Sequence, residues 1–222
     1  MLIALLVVAD RSAASYAGRA LADELQRTGT LAATPSVDVG GFPFLLQAVR
    51  GRYDRIEVTA VGVPAGEVTL AQLDAVLTGV QVPLVDVVSG QVGAVPVGRV
   101  QARALLSYAD LARRSGNRGL RVEPVGNMVR VTGSVVVFGR TLEASAVSRV
   151  VLEGTDVVVT ATSYEVGNAV ADAALTRALG DRLDFRVPLR GLPYGLVVDG
   201  VTVTAAGVVV SAGARDTVLS QP

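Results

Sequence analysis

The side chains of this sequence that could take part in chemistry are arginines, carboxylates and hydroxyls. The 222 residues include twenty basic residues, all of them arginine, and twenty acidic ones, with no histidine, cysteine or lysine. Without histidine or cysteine there is no Ser-His or Cys-His nucleophile pair and no zinc site of the usual kind. Paired-carboxylate hydrolysis stays open in principle, but Asp110, Asp181 and Asp184 have no spacing that is typical of it. We therefore expect a protein that is not an enzyme and that has no cofactor or metal.

Three arginines, Arg50, Arg52 and Arg55, form the clearest charged cluster in the sequence. Guanidinium groups match the geometry of phosphate oxygens, so the cluster predicts a site for an anionic headgroup. The alternative is a solvated surface on which Asp54 and Glu57 balance the arginines. The net charge of zero excludes the broad positive field with which proteins attract nucleic acid, so we expect no nucleic-acid partner.

Two proline-containing segments carry aromatic side chains. They are Gly41-Phe42-Pro43-Phe44-Leu45 and Leu192-Pro193-Tyr194. Aromatic side chains held by a proline suit the mouth of an apolar cavity, or partial insertion into a bilayer interface. We expect Phe42 and Phe44 to form an exposed lip, with the second segment opposite. Ordinary core packing of the first segment, and a simple proline turn for the second, are the alternatives.

The first element that must position these residues is a helix over residues 10–28. Its apolar residues recur every four positions, at Ala13, Ala17, Leu21 and Leu25. We expect Leu21 and Leu25 to be buried against the concave face of a single curved sheet. Arg19 and Arg27, on the other faces, should be exposed.

From about residue 55 onward the sequence predicts mainly strands. Valine alone contributes 43 residues, and strands are expected near 68–80, 92–105, 142–153, 155–162, 196–204 and 208–215. Two short helices interrupt them, one over 107–114 with Ser107 as its N-cap and one over 167–180. Short turns between strands favour a mainly antiparallel sheet in an α+β fold. Strands that are apolar on both faces must be sandwiched or curved around an apolar filler, which could be the helix or a lipid.

Residues 1–9, from Met1 to Ala9, are an unbroken apolar run. Nine residues are too few to span a bilayer, which takes about 20. We interpret the run as the remnant of a signal or anchor segment that is truncated in this chain. The protein is then expected to be exported to the cell envelope, a periplasm-like space. A buried first strand or helical turn is the alternative.

Several motifs, taken together, resemble a known family. They are Asp10-Arg-x-Ala13, Gly41-Phe-Pro-Phe-Leu45, Gly51-Arg-Tyr53, Ser107-Tyr-Ala-Asp-Leu111 and Val187-Pro-Leu-Arg-Gly-Leu-Pro-Tyr-Gly195. In this order, over nearly the whole chain, they are similar to the actinobacterial LmeA-like family of cell-envelope phospholipid-binding proteins. The resemblance implies a tubular lipid-binding fold. In that fold a strongly curved, mainly antiparallel sheet wraps a long N-terminal helix and encloses an apolar cavity for acyl chains.

With this resemblance we expect a noncatalytic phospholipid-binding or lipid-carrier protein, formed by a single domain over residues 10–222. Its partners would be phospholipid and the membrane surface. The lipid-binding candidates are Phe42, Pro43, Phe44, Leu45, Tyr53, Leu192, Pro193 and Tyr194, and the headgroup candidates are Arg50, Arg52 and Arg55. Two other classes stay open: a structural or interaction β-module whose core is filled by its own side chains, and a glycan-active enzyme with two carboxylates.

Overall fold

The computed structural model describes residues 1–28, 31, 33–65, 68–83, 85–86, 93–114, 119–137, 140–166, 169–170, 183–188 and 195–219. The helices with both ends in this part are α1 (Leu2–Thr28), α2 (Phe44–Arg50) and α3 (Tyr108–Arg114). The strands are β1 (Ser36–Gly40), β2 (Arg52–Ala65), β3 (Val68–Gln81), β4 (Val95–Leu106), β5 (Arg121–Val125), β6 (Met128–Val137), β7 (Arg140–Glu153), β8 (Asp156–Val166), β9 (Ala169–Val170), β10 (Phe185–Pro188), β11 (Val197–Val203) and β12 (Val208–Leu219).

The strands form two sheets. The strand order is β1-β2-β3-β4-β12-β11 in the first and β10-β8-β7-β6-β5 in the second, where β9 also pairs with β8. The described registers, such as β2 with β3 and β7 with β8, are antiparallel. With a long N-terminal helix and a curled, half-barrel sheet, this confirms the predicted α+β class. The expectation of one sheet is wrong, because β5 to β10 hydrogen-bond among themselves and form a second one.

Most predicted strands lie where the valine-rich runs placed them, as β3, β4, β7, β8, β11 and β12. The predicted helix over 167–180 lies largely outside the described residues. Its Ala169 and Val170 form β9, which pairs with Val166 and Glu165 of β8, so the helix prediction is wrong for these two residues. Strand pairing in the sheet outweighs the helical preference of a local alanine-rich pattern here.

The chain divides into two compact units. Unit 1 comprises 1–104, 192–197 and 211–222, and unit 2 comprises 105–191 and 198–210. The core of unit 1 consists of Ala14, Val39, Phe44, Ala48, Tyr53, Val80, Val97 and Val100. Helix α1 therefore shares a core with residues of β1 to β4, as the sequence pattern required of an amphipathic helix.

The buried face of α1 includes Ala13 and Ala17 of the predicted row, which are half-buried against the core, but its most buried row lies one residue further along. Ala14, Gly18 and Ala22 are buried, whereas Leu21 is 36% exposed and Leu25 is half-buried. A Cβ on Gly18 would lie 2.5 Å from the carbonyl oxygen of Val37 in β1, so the helix backbone approaches the strand closely. The small residues set this distance, and the bulkier leucines lie beside the contact and not in it. Arg19 and Arg27 are exposed, as predicted.

Unit 2 buries mainly valine side chains. Val129, Val131, Val159 and Leu183 of this unit are fully buried. Ser107 caps α3 as predicted, since the Asp110 N–H donates to Ser107 Oγ at 3.1 Å and the Ser107 hydroxyl donates to Asp110 Oδ2 at 2.5 Å. The local capping pattern thus identified the start of this helix correctly.

Candidate functional site

The first proline segment forms the connection between β1 and α2, and glycines shape both of its ends. Gly41 has a φ of +92°, and a Cβ there would lie 2.4 Å from Gln47 Nε2. Gly51 ends α2 with a left-handed φ of +62°, and its N–H donates to the carbonyl oxygen of Ala48 at 3.1 Å. A Cβ on Gly51 would come within 2.9 Å of the Val82 carbonyl oxygen. Backbone geometry therefore explains both motif glycines.

Asp10 of α1 holds the beginning of α2. Its buried carboxylate accepts hydrogen bonds from Phe44 N (3.0 Å to Oδ2) and Leu45 N (2.9 Å to Oδ1), and so supplies the cap that the exposed Pro43 at the N-cap position lacks. Arg11 pairs with the same carboxylate, with 2.9 Å between Nη2 and Oδ2. Burial acts to raise the pKa of the Asp10 carboxyl. The hydrogen bonds from Leu45 and Phe44, together with Arg11, outweigh burial and hold that pKa below its ordinary value of 3.8.

Gln47 joins α2 to the strands on either side of it. Its Nε2 donates to the carbonyl oxygen of Gly40 at the end of β1, at 3.3 Å. Its Oε1 accepts a hydrogen bond of 2.8 Å from Asp54 N in β2. The buried Gln47 amide is thus paired at both ends, which fixes the position of α2.

Phe44 and Tyr53 contact each other in the core of unit 1. Their ring centroids are 6.2 Å apart, with the planes inclined at 36°, and Phe44 is only 6% exposed. The prediction that Phe44 belongs to an exposed lip is therefore wrong. Phe44, Gln47 and Ala48 share the inner face of α2 because residues three and four apart point the same way on a helix. A contact of Phe44 or Tyr53 with lipid stays a prediction.

The outer face of α2 is apolar. Leu45, Leu46 and Val49 are exposed, Val49 to 75%. Phe42, just before the helix, is 61% exposed, and the guanidinium carbon of Arg11 lies 5.5 Å from its ring centroid. The first proline segment thus divides its apolar side chains between the core and the surface, with Phe42 and Leu45 on the surface.

Each of the three arginines predicted to bind a headgroup is exposed. Arg55 pairs with Glu57, with 2.5 Å between Nε and Oε1, which matches the solvated alternative for that residue. Arg50 and Arg52 have no ion pair within the described part of the chain. Two of the three guanidinium groups can therefore reach an external anion.

A second exposed apolar surface lies on the first turns of α1. The exposed side chains there are Met1, Ile3, Leu5, Leu6 and Val8. The helix begins at Leu2, so the apolar run that was read as a signal or anchor remnant continues directly into the helix that carries Asp10. No helix within the described residues is both long and apolar enough to cross a membrane.

Of the remaining candidate residues, the structure describes Asp184. Leu192, Pro193, Tyr194 and Asp181 lie outside the described residues. Asp184 Oδ1 accepts hydrogen bonds from Ala161 N (2.9 Å) and the Tyr164 hydroxyl (3.0 Å), which connects it to β8. In the described part of the chain, no three acidic residues lie close enough together to hold a metal ion.

Comparison with protein families gives a direct assignment. The family model described as LmeA-like phospholipid-binding matches residues 8–213 of the chain. The chain belongs to this family. No curated protein and no solved structure matches the chain. The matched range contains both Asp10 and the Gly41–Tyr53 segment, and the LmeA-like assignment supports lipid binding as the general function.

Two residues that organise this LmeA-like site, Asp10 and Gln47, were given no role by the sequence analysis. Asp10 carried a usable signal, because it follows the apolar run and lies four residues before Ala14 and eight before Gly18, on the small-residue face. Gln47 lies three residues after Phe44 and so shares its inner face. In both cases a polar residue at a core-facing helical position indicated a buried hydrogen-bonding role.

Proposed function

We propose that this LmeA-like protein is a noncatalytic phospholipid carrier of the cell envelope that holds acyl chains in an apolar cavity. The observation that carries the proposal is the match of a phospholipid-binding family model to residues 8–213. The chemistry of the chain agrees with it, since the sequence offers arginines for phosphate groups and no histidine or cysteine for nucleophilic or imidazole chemistry.

A phospholipid carrier must enclose the acyl chains of its lipid in an apolar environment. Each methylene group left in water costs about 0.8 kcal/mol, so a phospholipid moves through an aqueous space only if its acyl chains are covered. The chain is half hydrophobic by composition and rich in valine strands that are apolar on both faces. Those faces can line an acyl-chain cavity, and the exposed arginines near α2 can bind the phosphate that stays outside.

We place the protein on the outer side of an actinobacterial membrane, with the exposed first turns of α1 in contact with the lipid. The exposed side chains of Met1, Ile3, Leu5, Leu6 and Val8 support this, because apolar residues on an exposed helix are stabilised at a bilayer interface. Phospholipid and the membrane surface are then its partners, and the protein acts by binding, not by chemical change of the lipid.

Lipid extraction tests the proposal most directly. The full chain is purified without detergent, washed, and extracted with organic solvent, and the extract is analysed by mass spectrometry beside an extract of an unrelated protein from the same host. We expect phospholipid at a fixed ratio to protein, chemically unchanged after incubation. Protein that is repeatedly free of lipid and does not take up phospholipid from vesicles would instead favour a β-module with a self-filled core.

Transfer between vesicles tests the carrier role separately from binding. Donor vesicles that contain a fluorescent phospholipid are mixed with unlabelled acceptors, with and without the protein. A carrier raises the transfer rate in proportion to its concentration. Protein that retains its lipid but leaves this rate unchanged would be a binding protein and not a carrier.

A further inference from the structure

The strongest unassigned feature of unit 1 is the outer surface of α2, which we define as Phe42, Leu45, Leu46 and Val49 together with Arg50 and Arg52. We propose that this α2 surface docks the protein onto a bilayer that contains anionic phospholipid. The proposal rests on the proposed function and deepens it, because it names the surface through which a lipid carrier would meet the membrane. Soluble proteins rarely leave a continuous apolar patch exposed unless it binds a partner.

The order of residues on α2 gives the surface an apolar centre and a cationic C-terminal end. Leu45, Leu46 and Val49 lie on neighbouring positions of the outer face, and Arg50 lies one turn after Leu46. At the other end, the Arg11 guanidinium lies over the Phe42 ring. Interfacial membrane helices have this arrangement: their apolar side chains insert among the acyl chains, and their guanidinium groups lie at the depth of the phosphates.

Charge favours an anionic bilayer over a protein groove as the occupant. Residues 39–53 contain two arginines and no acidic residue. Asp38 and Asp54 flank this range, but Arg50 and Arg52 have no ion pair with them or with any other described residue. The nearby Asp10 is neutralised by Arg11 and by two backbone N–H groups. The negative surface potential of an anionic membrane would therefore attract this surface without an opposing carboxylate on α2.

The surface is also held in place before it binds. Asp10 caps the start of α2, Gln47 joins its middle to β1 and β2, and Gly51 closes its end. Phe44 anchors the helix in the core from the opposite face. Because these contacts order α2 in the free protein, docking loses little conformational entropy, which favours binding by a small patch.

Vesicle flotation with substituted full-length chains tests the docking. The first variant, Leu45→Ser with Val49→Ser, should bind vesicles of phosphatidylglycerol and phosphatidylcholine about tenfold more weakly than wild type, a change of about 1.4 kcal/mol. The second variant, Arg50→Gln with Arg52→Gln, should lose about fivefold for each arginine on these vesicles and nothing on pure phosphatidylcholine. Its binding should also depend less on salt concentration.

Matched controls come from exposed residues elsewhere. Val197→Ser with Val218→Ser removes two exposed valines, and Arg99→Gln with Arg103→Gln removes two exposed arginines. All four double variants should keep the wild-type melting temperature. Unchanged flotation of both α2 variants would overturn the proposal, and so would an equal loss of binding in the controls.

The lipid content of the same samples separates this proposal from the proposed function. Protein that carries phospholipid but does not bind vesicles would overturn the docking and leave the carrier function standing. Protein that binds vesicles through α2 but carries no phospholipid would support the docking and overturn the carrier function. A dimer in light scattering that Leu45→Ser with Val49→Ser converts to a monomer would identify a second copy of the chain as the occupant and overturn the bilayer.

Discussion

Two phenylalanines separated by one proline should respond in opposite ways to truncation. Phe44→Ala removes a ring that is only 6% exposed and that contacts Tyr53. We therefore expect the free energy of unfolding to fall by about 3–5 kcal/mol. Phe42→Ala removes a ring that is 61% exposed and that lies against the Arg11 guanidinium. The free energy of unfolding should therefore fall by less than about 1 kcal/mol. For a chain of this size, about 2–4 °C of melting temperature corresponds to each kcal/mol.

Thermal melts and urea titrations of the two variants, measured beside wild type, give both quantities. Phe44→Ala should melt about 6–20 °C earlier, and Phe42→Ala should stay within about 4 °C of wild type. Vesicle flotation should show the reverse ranking, with weaker binding for Phe42→Ala. Equal destabilisation by the two truncations would refute the division of this segment between core and surface. An unperturbed Phe44→Ala would refute the core packing itself.

Three further predictions concern the contacts of α1. Asp10→Asn should be less stable than wild type in urea at pH 7, and this difference should shrink as the pH falls below 3.8, because the lowered pKa makes the wild-type carboxylate stabilising only while it is charged. A difference that is independent of pH would exclude the charge as its cause. Gly18→Val should cost about 1–3 kcal/mol in a urea titration, since its Cβ would lie 2.5 Å from the Val37 carbonyl oxygen, and a neutral result would contradict the close approach. Ala22→Asp should destabilise the protein by several kcal/mol in order of magnitude, and clearly more than Leu21→Asp on the half-exposed side of the helix. Equal melting temperatures of the two variants would show that Leu21 is as buried as Ala22.

The strands were the most predictable part of the fold. Valine-rich runs bounded by turn residues located β3, β7 and β8 to within a few residues, because β-branched side chains fit the pleated, half-buried surface of a sheet and turn residues mark the ends of each run. The division into two sheets was not predictable in this way. It depends on the pairing of β4 with β12 and not with β5, the next strand in the sequence, and no local pattern encodes so distant a partner.

The face of α1 was predicted wrongly for a definable reason. The four-residue spacing selects the row of Ala13, Ala17, Leu21 and Leu25, but the contact with β1 is too close for the two leucines. Close packing selects the residues with the smallest side chains, Ala14, Gly18 and Ala22, which lie on an adjacent row of the same helix. Hydrophobic periodicity identifies the helix, whereas the distance between backbones decides which row is buried.

The location of the site at residues 41–55 stays a prediction. Composition and the proline segment indicated apolar and cationic side chains in this stretch, but not which of them face the core. Which side chains point outward depends on the orientation of α2. That orientation is fixed by Asp10, which lies 34 positions before Phe44. The sequence marks Asp10 as a polar residue on a core-facing position but does not identify its distant partner, so it did not show which of Phe42 and Phe44 would face the core.

The cap by Asp10 also joins the two exposed apolar surfaces of unit 1. Ile3 to Val8 precede Asp10 on one continuous helix, and the Asp10 carboxylate accepts hydrogen bonds from the first turn of α2. If the first turns of α1 and the outer face of α2 both contact the bilayer, they bind it as two connected surfaces and not as two independent segments. Asp10→Asn should then weaken vesicle binding even though Asp10 itself is buried, because it loosens α2 against α1. Retained vesicle binding in an Asp10→Asn protein that is measurably less stable would show that the two surfaces act independently.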